Sequence, residues 1–265
     1  MDSTDLKYIL HDAVDLLLPP GREAGENDEW FYFLHIPKTA GTSFRYTLYD
    51  RFRAREVYPN NIDYYLRQRA RFLSFTEFAA RKGDLFPPSK KLLIGHFRLL
   101  PVDPGFRMPP PRIISFLRDP VARLISTINY QSQPGRKFHG LGIDQIMSKY
   151  AQEEGQMQAF FLGYKPRRMN LQEVFENLEK IEALGIVEHY EQSIQLINRT
   201  FDWDLKNVYS KNRSRSGTKI SPGSIDAEQL SSCCETDQQV YDYALKRFRA
   251  RCAMRSIPCV KGVRS

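Results

Sequence analysis

Short apolar runs and helical repeats alternate along the chain. Residues 30–36, 92–94 and 112–117 are rich in apolar side chains, and each run predicts a buried strand. Beyond the first run, Phe44 and Leu48 begin an i, i+4 repeat that predicts a helix after a polar loop. Strands that alternate with helices are typical of α/β proteins, so we expect an α/β fold, a single domain with a central, mainly parallel sheet flanked by helices.

The same periodicity predicts further helices over residues 6–18, 61–82, 170–184, 190–201 and 237–251. The helix over 170–184 has the clearest boundaries. Asn170 and Glu173 form a capping box at its start, and Gly185 stands at its end as a stop. We expect residues 1–29 to be an N-terminal lead-in and residues 30–265 to form the domain.

A polar loop with one glycine joins the first strand to its helix. Its sequence, KTAGTS over residues 38–43, places Lys38 before Gly41. Backbone N–H groups at a helix start attract anions, a glycine lets the backbone approach a ligand, and the lysine adds positive charge. The loop therefore predicts a cradle for a phosphate-like anion. It is not a Walker A loop, whose lysine follows the glycines, and an ordinary turn with an exposed lysine is the alternative.

The third apolar run ends at Arg118. Asp119 suits the N-cap of the helix that follows, and Pro120 suits its first position. Open α/β sheets bind ligands at such strand ends, and the Arg118 guanidinium with the hydroxyl of Ser126 would suit a phosphate dianion. Taken alone, the pattern also fits a surface ion pair. Arg123, in the same helix, is expected to face solvent or to pair with an acid.

The run over residues 92–94 is followed by Gly95 and His96. Histidine has an unperturbed pKa of about 6.5, which suits a general base near neutral pH. A lone histidine is more often a packing residue, so the pattern alone leaves both roles open. His35, beside the anion cradle, is expected to be structural or to lie next to a cofactor.

Three of these motifs together resemble one enzyme family. Residues 35–43, HIPKTAGTS, resemble the 5′-phosphosulfate loop of the sulfotransferases, especially the branch related to heparan sulfate 2-O-sulfotransferase. The string R-D-P-x-x-R-x-x-S from Arg118 to Ser126 resembles the 3′-phosphate motif of that family, and Gly95-His96 matches the position of its base. The resemblance implies a P-loop-kinase-like sulfotransferase fold and the cofactor 3′-phosphoadenosine 5′-phosphosulfate (PAPS), with 3′-phosphoadenosine 5′-phosphate (PAP) as product.

The resemblance also implies a role for each matching residue. His96 would deprotonate an acceptor hydroxyl, and Lys38 would stabilise the leaving oxygen during in-line displacement at sulfur. The 5′-phosphosulfate would contact the cradle through Lys38, Thr39, Ala40, Gly41, Thr42 and Ser43, and the 3′-phosphate would contact Arg118 and Ser126. The family places a basic loop over the nucleotide, which here corresponds to residues 209–219. Its candidate ligands are Arg213, Arg215 and Lys219, among which the sequence does not decide, and a solvated loop is the alternative.

The acceptor is the least defined partner. Its pocket is expected to come from variable loops over residues 45–82, 97–110 and 131–165, and the resemblance implies a carbohydrate or glycoconjugate hydroxyl. The net charge of +8 is larger than binding of the cofactor requires, and the excess favours an acidic acceptor. A solvated basic surface explains the charge equally well. We expect no nucleic-acid partner. The competing hypotheses are a kinase-like phosphotransferase and a non-enzymatic basic module that binds an anionic polymer.

Other patterns bear on metals, membranes and cysteines. The sequence has no H-E-x-x-H, zinc-ligand or EF-hand pattern, so we expect no metal. No apolar run reaches the roughly 18 residues of a membrane span, and Golgi members of the family carry an anchor. We therefore expect a cytoplasmic bacterial enzyme or a shortened chain. The adjacent Cys233 and Cys234 do not suggest a secreted disulfide framework, and a Cys252–Cys259 bridge stays open.

Overall fold

A parallel sheet lies at the centre of the structure, a computed structural model that describes residues 3–17, 29–63, 75–99, 109–165, 170–206 and 225–258. In this part of the chain the sheet has five strands: β1 (Phe31–Leu34), β2 (Val57–Tyr58), β3 (Leu92–Gly95), β4 (Arg112–Leu117) and β5 (Ala183–Ile186). Their order is β2-β3-β1-β4-β5, and every neighbouring pair is parallel. The expected α/β fold is confirmed.

Helices cover both faces of this sheet. They are α1 (Ser3–Leu17), α2 (Gly41–Tyr49), α3 (Phe75–Ala80), α4 (Lys82–Leu85), α5 (Pro120–Gln131), α6 (Ile143–Gly155), α7 (Met157–Phe161), α8 (Leu171–Glu179), α9 (Tyr190–Phe201) and α10 (Ala227–Met254). On one face of the sheet, the side chains of Phe31 and Phe33 in β1 pack against α2 and α9. On the opposite face, the side chains of Tyr32 and Leu34 pack against α7, α8 and α10. Each face of the pleated sheet is thus buried by its own helices, as strand alternation requires.

The carboxyl ends of β1, β3 and β4 meet at one edge of the sheet. Leu34 of β1 is in register with Gly95 of β3 and with Ser115 of β4. Strands β2 and β3 lie on one side of β1, and β4 and β5 lie on the other. The strand order therefore reverses at β1. A crevice outside the carboxyl ends at such a reversal is the usual ligand site of an open α/β sheet.

The helix predicted over residues 170–184 is shorter than expected. Asn170 caps it as predicted, with its side-chain oxygen 3.2 Å from the Glu173 N–H, but α8 ends at Glu179. The residues after it form β5, which pairs with β4 and is fully buried. Gly185 is therefore no helix stop. It lies inside β5 because pairing with β4 outweighs the local helical pattern. The position requires glycine because a Cβ there would overlap the ring of Phe116.

Two further expectations change. The region 131–165, expected as a variable loop, contains α6 and α7, because Ile146, Met147 and Ala151 form a short apolar stripe that packs against α10. Helix α10 begins at Ala227 rather than at 237, and the buried Cys233 and Cys234 extend its packed face as small apolar residues.

Two other helix predictions agree with the structure. α1 and α9 lie where they were predicted. The described part of 61–82 contains α3, followed after Arg81 by α4. Cys259 and its pairing with Cys252 lie outside the described residues. Among the residues that the structure describes, no helix is long and apolar enough to cross a membrane, and no group of three or more His, Cys, Asp or Glu side chains is placed to hold a metal ion.

Candidate functional site

Three sequence-predicted residues follow the three strand ends that meet at the edge of the sheet. Lys38 lies in the loop after β1, His96 directly after β3, and Arg118 directly after β4. The Arg118 guanidinium donates a hydrogen bond through Nη1 to the backbone carbonyl of Lys38 at 3.3 Å. The structure therefore joins the two predicted anion-binding elements directly.

The loop between β1 and α2 has an unusual backbone. Lys38 and Ala40 have φ angles of 68° and 61°, in the left-handed region that residues other than glycine seldom occupy. Such a conformation costs on the order of 1–3 kcal/mol per residue and persists where the surroundings impose it, often at ligand-binding sites. The hydroxyl of Thr39, a buried residue, donates to the Ile36 carbonyl at 2.9 Å and fixes the start of the loop.

The start of α2 has backbone amides that no helical carbonyl accepts from. The first helical hydrogen bond runs from Phe44 N–H to the Ala40 carbonyl at 3.1 Å, so the amides of Gly41 and Thr42 have no acceptor within the helix. Ala40 stands at the N-cap position and has no side chain that could accept from them. Ser43, next in the first turn, is buried. The predicted cradle residues thus surround an uncapped helix start, where an anion is favoured.

His35 explains why the loop has its glycine. The His35 ring stacks on Phe33, with ring centroids 5.4 Å apart and planes 10° apart, and it lies against Gly41, where a Cβ would overlap the imidazole. Burial, followed by electrostatic interaction with His96, Arg45 and Lys38, lowers the pKa of His35 well below 6.5. The ring therefore stays neutral. Of the two predicted roles, the structural one fits this packing.

The ammonium group of Lys38 lies over the ring of Tyr130, with Nζ 4.2 Å from the ring centroid. The guanidinium of Arg136 lies 3.8 Å from the same centroid, so two cations share one aromatic ring. Among the described residues, no carboxylate forms an ion pair with either cation. Burial, together with Arg118 and Arg136, lowers the pKa of Lys38 to about 8. An incoming anion would relieve this repulsion.

His96 is held in one tautomer. Its Nδ1 lies 2.6 Å from the backbone carbonyl of His35, and because a carbonyl can only accept, Nδ1 carries the proton and Nε2 keeps its lone pair. The His96 side chain is exposed to solvent on one side, while the His35 ring packs close to it, with ring centroids 4.2 Å apart. Burial, opposed by the bond to His35 and aided by Arg45, lowers the pKa of His96. A neutral imidazole with a free Nε2 can accept a proton.

Helix α5 begins as predicted. The Asp119 side chain accepts from the Ala122 N–H at 2.8 Å, and Pro120 occupies the first helical position. Ser126 follows in the second turn, half-buried, and its hydroxyl makes no hydrogen bond within the described part of the chain. It shares a helix face with Tyr130, one turn further on, whose ring contacts Lys38. That face is therefore directed towards the loop after β1.

Arg123 pairs with an acid, and the alternative prediction that it faces solvent is wrong. Its side chain is fully buried, with Nε 3.8 Å from Oδ2 of Asp237 in α10 and Nη1 donating to the Thr127 hydroxyl at 3.3 Å. The reason is the packing of α5 against α10, which encloses this side of α5. Arg123 therefore supports the helix and does not reach the crevice.

Several residues at the site were missed by sequence reasoning. Tyr130 carries a usable signal, because it follows Ser126 by four positions on the same helix face. Arg136 lies in the basic segment after α5, but nothing in the sequence connects it to Lys38. Arg213, Arg215 and Lys219, the candidate ligands from the second basic loop, lie outside the described residues.

The arrangement places the predicted anion cradle beside a neutral proton acceptor along one edge of the sheet, together with Lys38 and Arg136, two cations that have no carboxylate partner among the described residues. It can hold a ligand with two anionic groups beside a group that takes a proton.

No protein-family model matches the chain, and no curated protein matches it either.

Proposed function

We propose that the protein is a PAPS-dependent O-sulfotransferase that transfers a sulfuryl group to a hydroxyl, most naturally that of a carbohydrate or glycoconjugate. The observation that carries the proposal is the meeting of the Lys38 loop, Arg118 and a proton-accepting His96 at one edge of the sheet. The motif resemblance supplies the identity of the cofactor, and the geometry supports its fit.

The donor set suits a bisphosphorylated nucleotide. The uncapped start of α2 offers amide donors, and Lys38 offers a cation without a carboxylate partner in the described ranges. Arg118 and the unengaged Ser126 hydroxyl offer a second set of donors for a phosphate group. We assign the 5′-phosphosulfate to the first set and the 3′-phosphate to the second.

The chain's own residues would act as follows. PAPS, when bound, supplies an activated sulfuryl group. His96 Nε2 takes the proton of the acceptor hydroxyl, while the Nδ1–H bond to the His35 carbonyl orients the ring. The Lys38 ammonium and the amides at the start of α2 stabilise negative charge on the departing oxygen, and they need no reorganisation to do so. Direct displacement between oriented groups, without a protein-bound intermediate, is sufficient for this reaction.

The acceptor side is proposed from the segment after α5. Arg136, Lys137 and His139 are exposed there, and Arg136 lies over the same Tyr130 ring as Lys38. Polar and cationic groups beside the sulfuryl donor suit a hydroxyl-rich and anionic acceptor. PAP release from PAPS in the presence of a panel of desulfated glycans, with release in their absence as the baseline, is the activity assay.

The first test is calorimetric binding of PAP, AMP and magnesium ATP to the wild type and to Arg118→Ala. AMP lacks the 3′-phosphate. Because a charge-assisted contact contributes about 1.5–3 kcal/mol, PAP should bind about 10- to 100-fold more weakly to Arg118→Ala, while AMP affinity should stay within about twofold. Arg53→Ala is the matched control, since Arg53 is an exposed arginine beyond the other end of α2. Binding of magnesium ATP but not PAP by the wild type would contradict the proposal and favour a phosphotransferase.

The pH dependence of kcat/KM is expected to be bell-shaped. Since the pKa of His96 is lowered from 6.5, the base is neutral above that pH and the rate should fall only in more acidic solution. Since the pKa of Lys38 is lowered to about 8, the ammonium is lost and the rate should fall again above that pH. Because kcat/KM reports on the free enzyme, the basic limb should move to higher pH in kcat, where a bound anion favours the ammonium.

Glycan-dependent PAP release, measured from about pH 5 to about pH 10, checks this profile. A kcat/KM that shows no decrease in the alkaline range would contradict the role of Lys38. A fall that begins well above pH 6.5 on the acidic side would contradict that of His96.

A further inference from the structure

The backbone of Arg118 is held by a buried glutamine rather than by regular secondary structure. Arg118 lies between the end of β4 and the start of α5. Its N–H donates to Oε1 of Gln158 at 2.8 Å, and its carbonyl accepts from Nε2 of Gln158 at 2.9 Å. One fully buried amide side chain therefore satisfies both backbone groups of the residue that carries the guanidinium.

Gln158 is itself fixed from α10. The carboxylate of Asp237 accepts from the N–H of Gln158 at 2.9 Å and from the N–H of Ala159 at 2.7 Å, at the start of α7. Asp237 is fully buried and faces the buried Arg123 of α5. The side chain of Gln158 therefore projects from a backbone that is anchored to α10, at a carboxylate that also pairs with α5.

A second anchor holds the next residue. The Asp119 N–H donates to Oε1 of Glu188 at 3.0 Å, and the other oxygen of Glu188 accepts from the Tyr241 hydroxyl at 2.9 Å. Both anchors end on α10. The connection from β4 to α5 is thus a rigid bridge, whereas a free connection would let the Arg118 guanidinium sample many positions.

We propose that Gln158 is a positioning residue that sets the selectivity of Arg118 for a phosphate group, and so determines whether the site discriminates a 3′-phosphorylated nucleotide from one without that group. The inference rests on the proposed function and deepens it. A guanidinium binds phosphate in a directional, two-pronged geometry, so its base must be fixed to within about half an ångström for full affinity. Gln158 never touches the nucleotide and acts only through the Arg118 backbone.

The test is the ratio of PAP to AMP affinity in the full chain, measured by calorimetry for the wild type and for Gln158→Leu. Leucine is close to glutamine in size but cannot bond to Arg118. We expect PAP affinity to fall about tenfold or more and AMP affinity to stay within about twofold, so that the ratio collapses. A merely structural defect would weaken both nucleotides alike.

Asn177→Leu is the matched control. Asn177 is also a buried amide, and its Nδ2 donates to the Leu162 carbonyl at 2.8 Å at the end of α7, away from Arg118. Its loss should lower thermal stability and leave the ratio of PAP to AMP affinity unchanged. A similar fall of the ratio in both variants would overturn the inference.

Gln158→Glu is a second test variant, whose result does not depend on whether the leucine variant folds. Glutamate keeps the oxygen that accepts from the Arg118 N–H and loses the donor to its carbonyl, and protonation restores a donor. Because burial raises the pKa of a carboxyl group, the ratio of PAP to AMP affinity, normalised to wild type at each pH, should be near wild type where this glutamate is protonated and should fall as it ionises in more alkaline solution. A normalised ratio that is wild-type-like at every pH would sink the inference. A wild type that itself fails to prefer PAP over AMP would instead contradict the proposed function.

Discussion

Replacement of His96 by asparagine is expected to lower kcat by about two to four orders of magnitude and to leave PAP affinity within about twofold of wild type. The amide nitrogen of asparagine corresponds to Nδ1 of histidine, so the bond to the His35 carbonyl can be kept. Nothing then occupies the position of Nε2. The variant separates the loss of a proton acceptor from any loss of local structure. Glycan-dependent PAP release gives kcat, and calorimetry gives the affinity.

His11→Asn is the control for this experiment. His11 lies in α1 with its side chain 61% exposed, and no role is assigned to it. The same substitution there should leave both kcat and PAP affinity unchanged. If His96→Asn retains wild-type turnover, His96 is not the base. If it loses PAP affinity together with turnover, the residue binds the nucleotide rather than the acceptor proton.

The parts of this site that local chemistry controls could be predicted from sequence. Asp119 and Pro120 fix the start of α5 by capping and by backbone geometry, and both stand where they were expected. The positions of Lys38, His96 and Arg118 follow from a simple rule, that the carboxyl ends of parallel strands meet at one edge of a sheet. Once the three runs were interpreted as strands, the convergence of these three residues followed.

Contacts between distant elements could not be predicted in the same way. Gln158 is separated from Arg118 by 40 positions, and no periodicity marks a buried glutamine as different from any other polar residue. The tautomer of His96 depends on the carbonyl of His35, 61 positions away. The environment of Lys38 depends on Tyr130 and Arg136, which reach it only when α5 packs against the first loop. These features set the chemistry of the site, and they arise from tertiary packing.

The end of the helix predicted over residues 170–184 was also misread, and it shows the same limit. Residues 181–184 continue the apolar pattern of α8, and Gly185 after them has the appearance of a helix stop. In the structure, pairing with β4 takes Ala183 and Leu184 into the sheet, and the Phe116 ring occupies the space beside Gly185. A glycine that ends a helix and a glycine that admits a neighbouring ring look identical in sequence. Only the partner strand distinguishes them.

Replacement of Lys38 by methionine is expected to reduce kcat/KM by about 100- to 1,000-fold, with losses in both turnover and nucleotide binding. Methionine keeps an unbranched chain of similar length against Tyr130 and removes the charge. Because Lys38 is assigned to the 5′ side of the nucleotide, PAP and AMP should both bind more weakly, by similar factors. This differs from Arg118→Ala, which should weaken PAP alone. The two variants together assign one cation to each end of the nucleotide.

The pH profile provides an independent check on the same variant. In Lys38→Met the alkaline fall in kcat/KM near pH 8 should disappear, since the group whose pKa is lowered to about 8 is gone, while the acidic limb from His96 remains. Lys149→Met, at an exposed lysine of α6, should behave as wild type in every assay. An alkaline limb that persists in Lys38→Met would show that another group titrates there. Unchanged affinity for both PAP and AMP would show that the loop after β1 does not bind the 5′ anion, and the proposed orientation of the nucleotide would have to be abandoned.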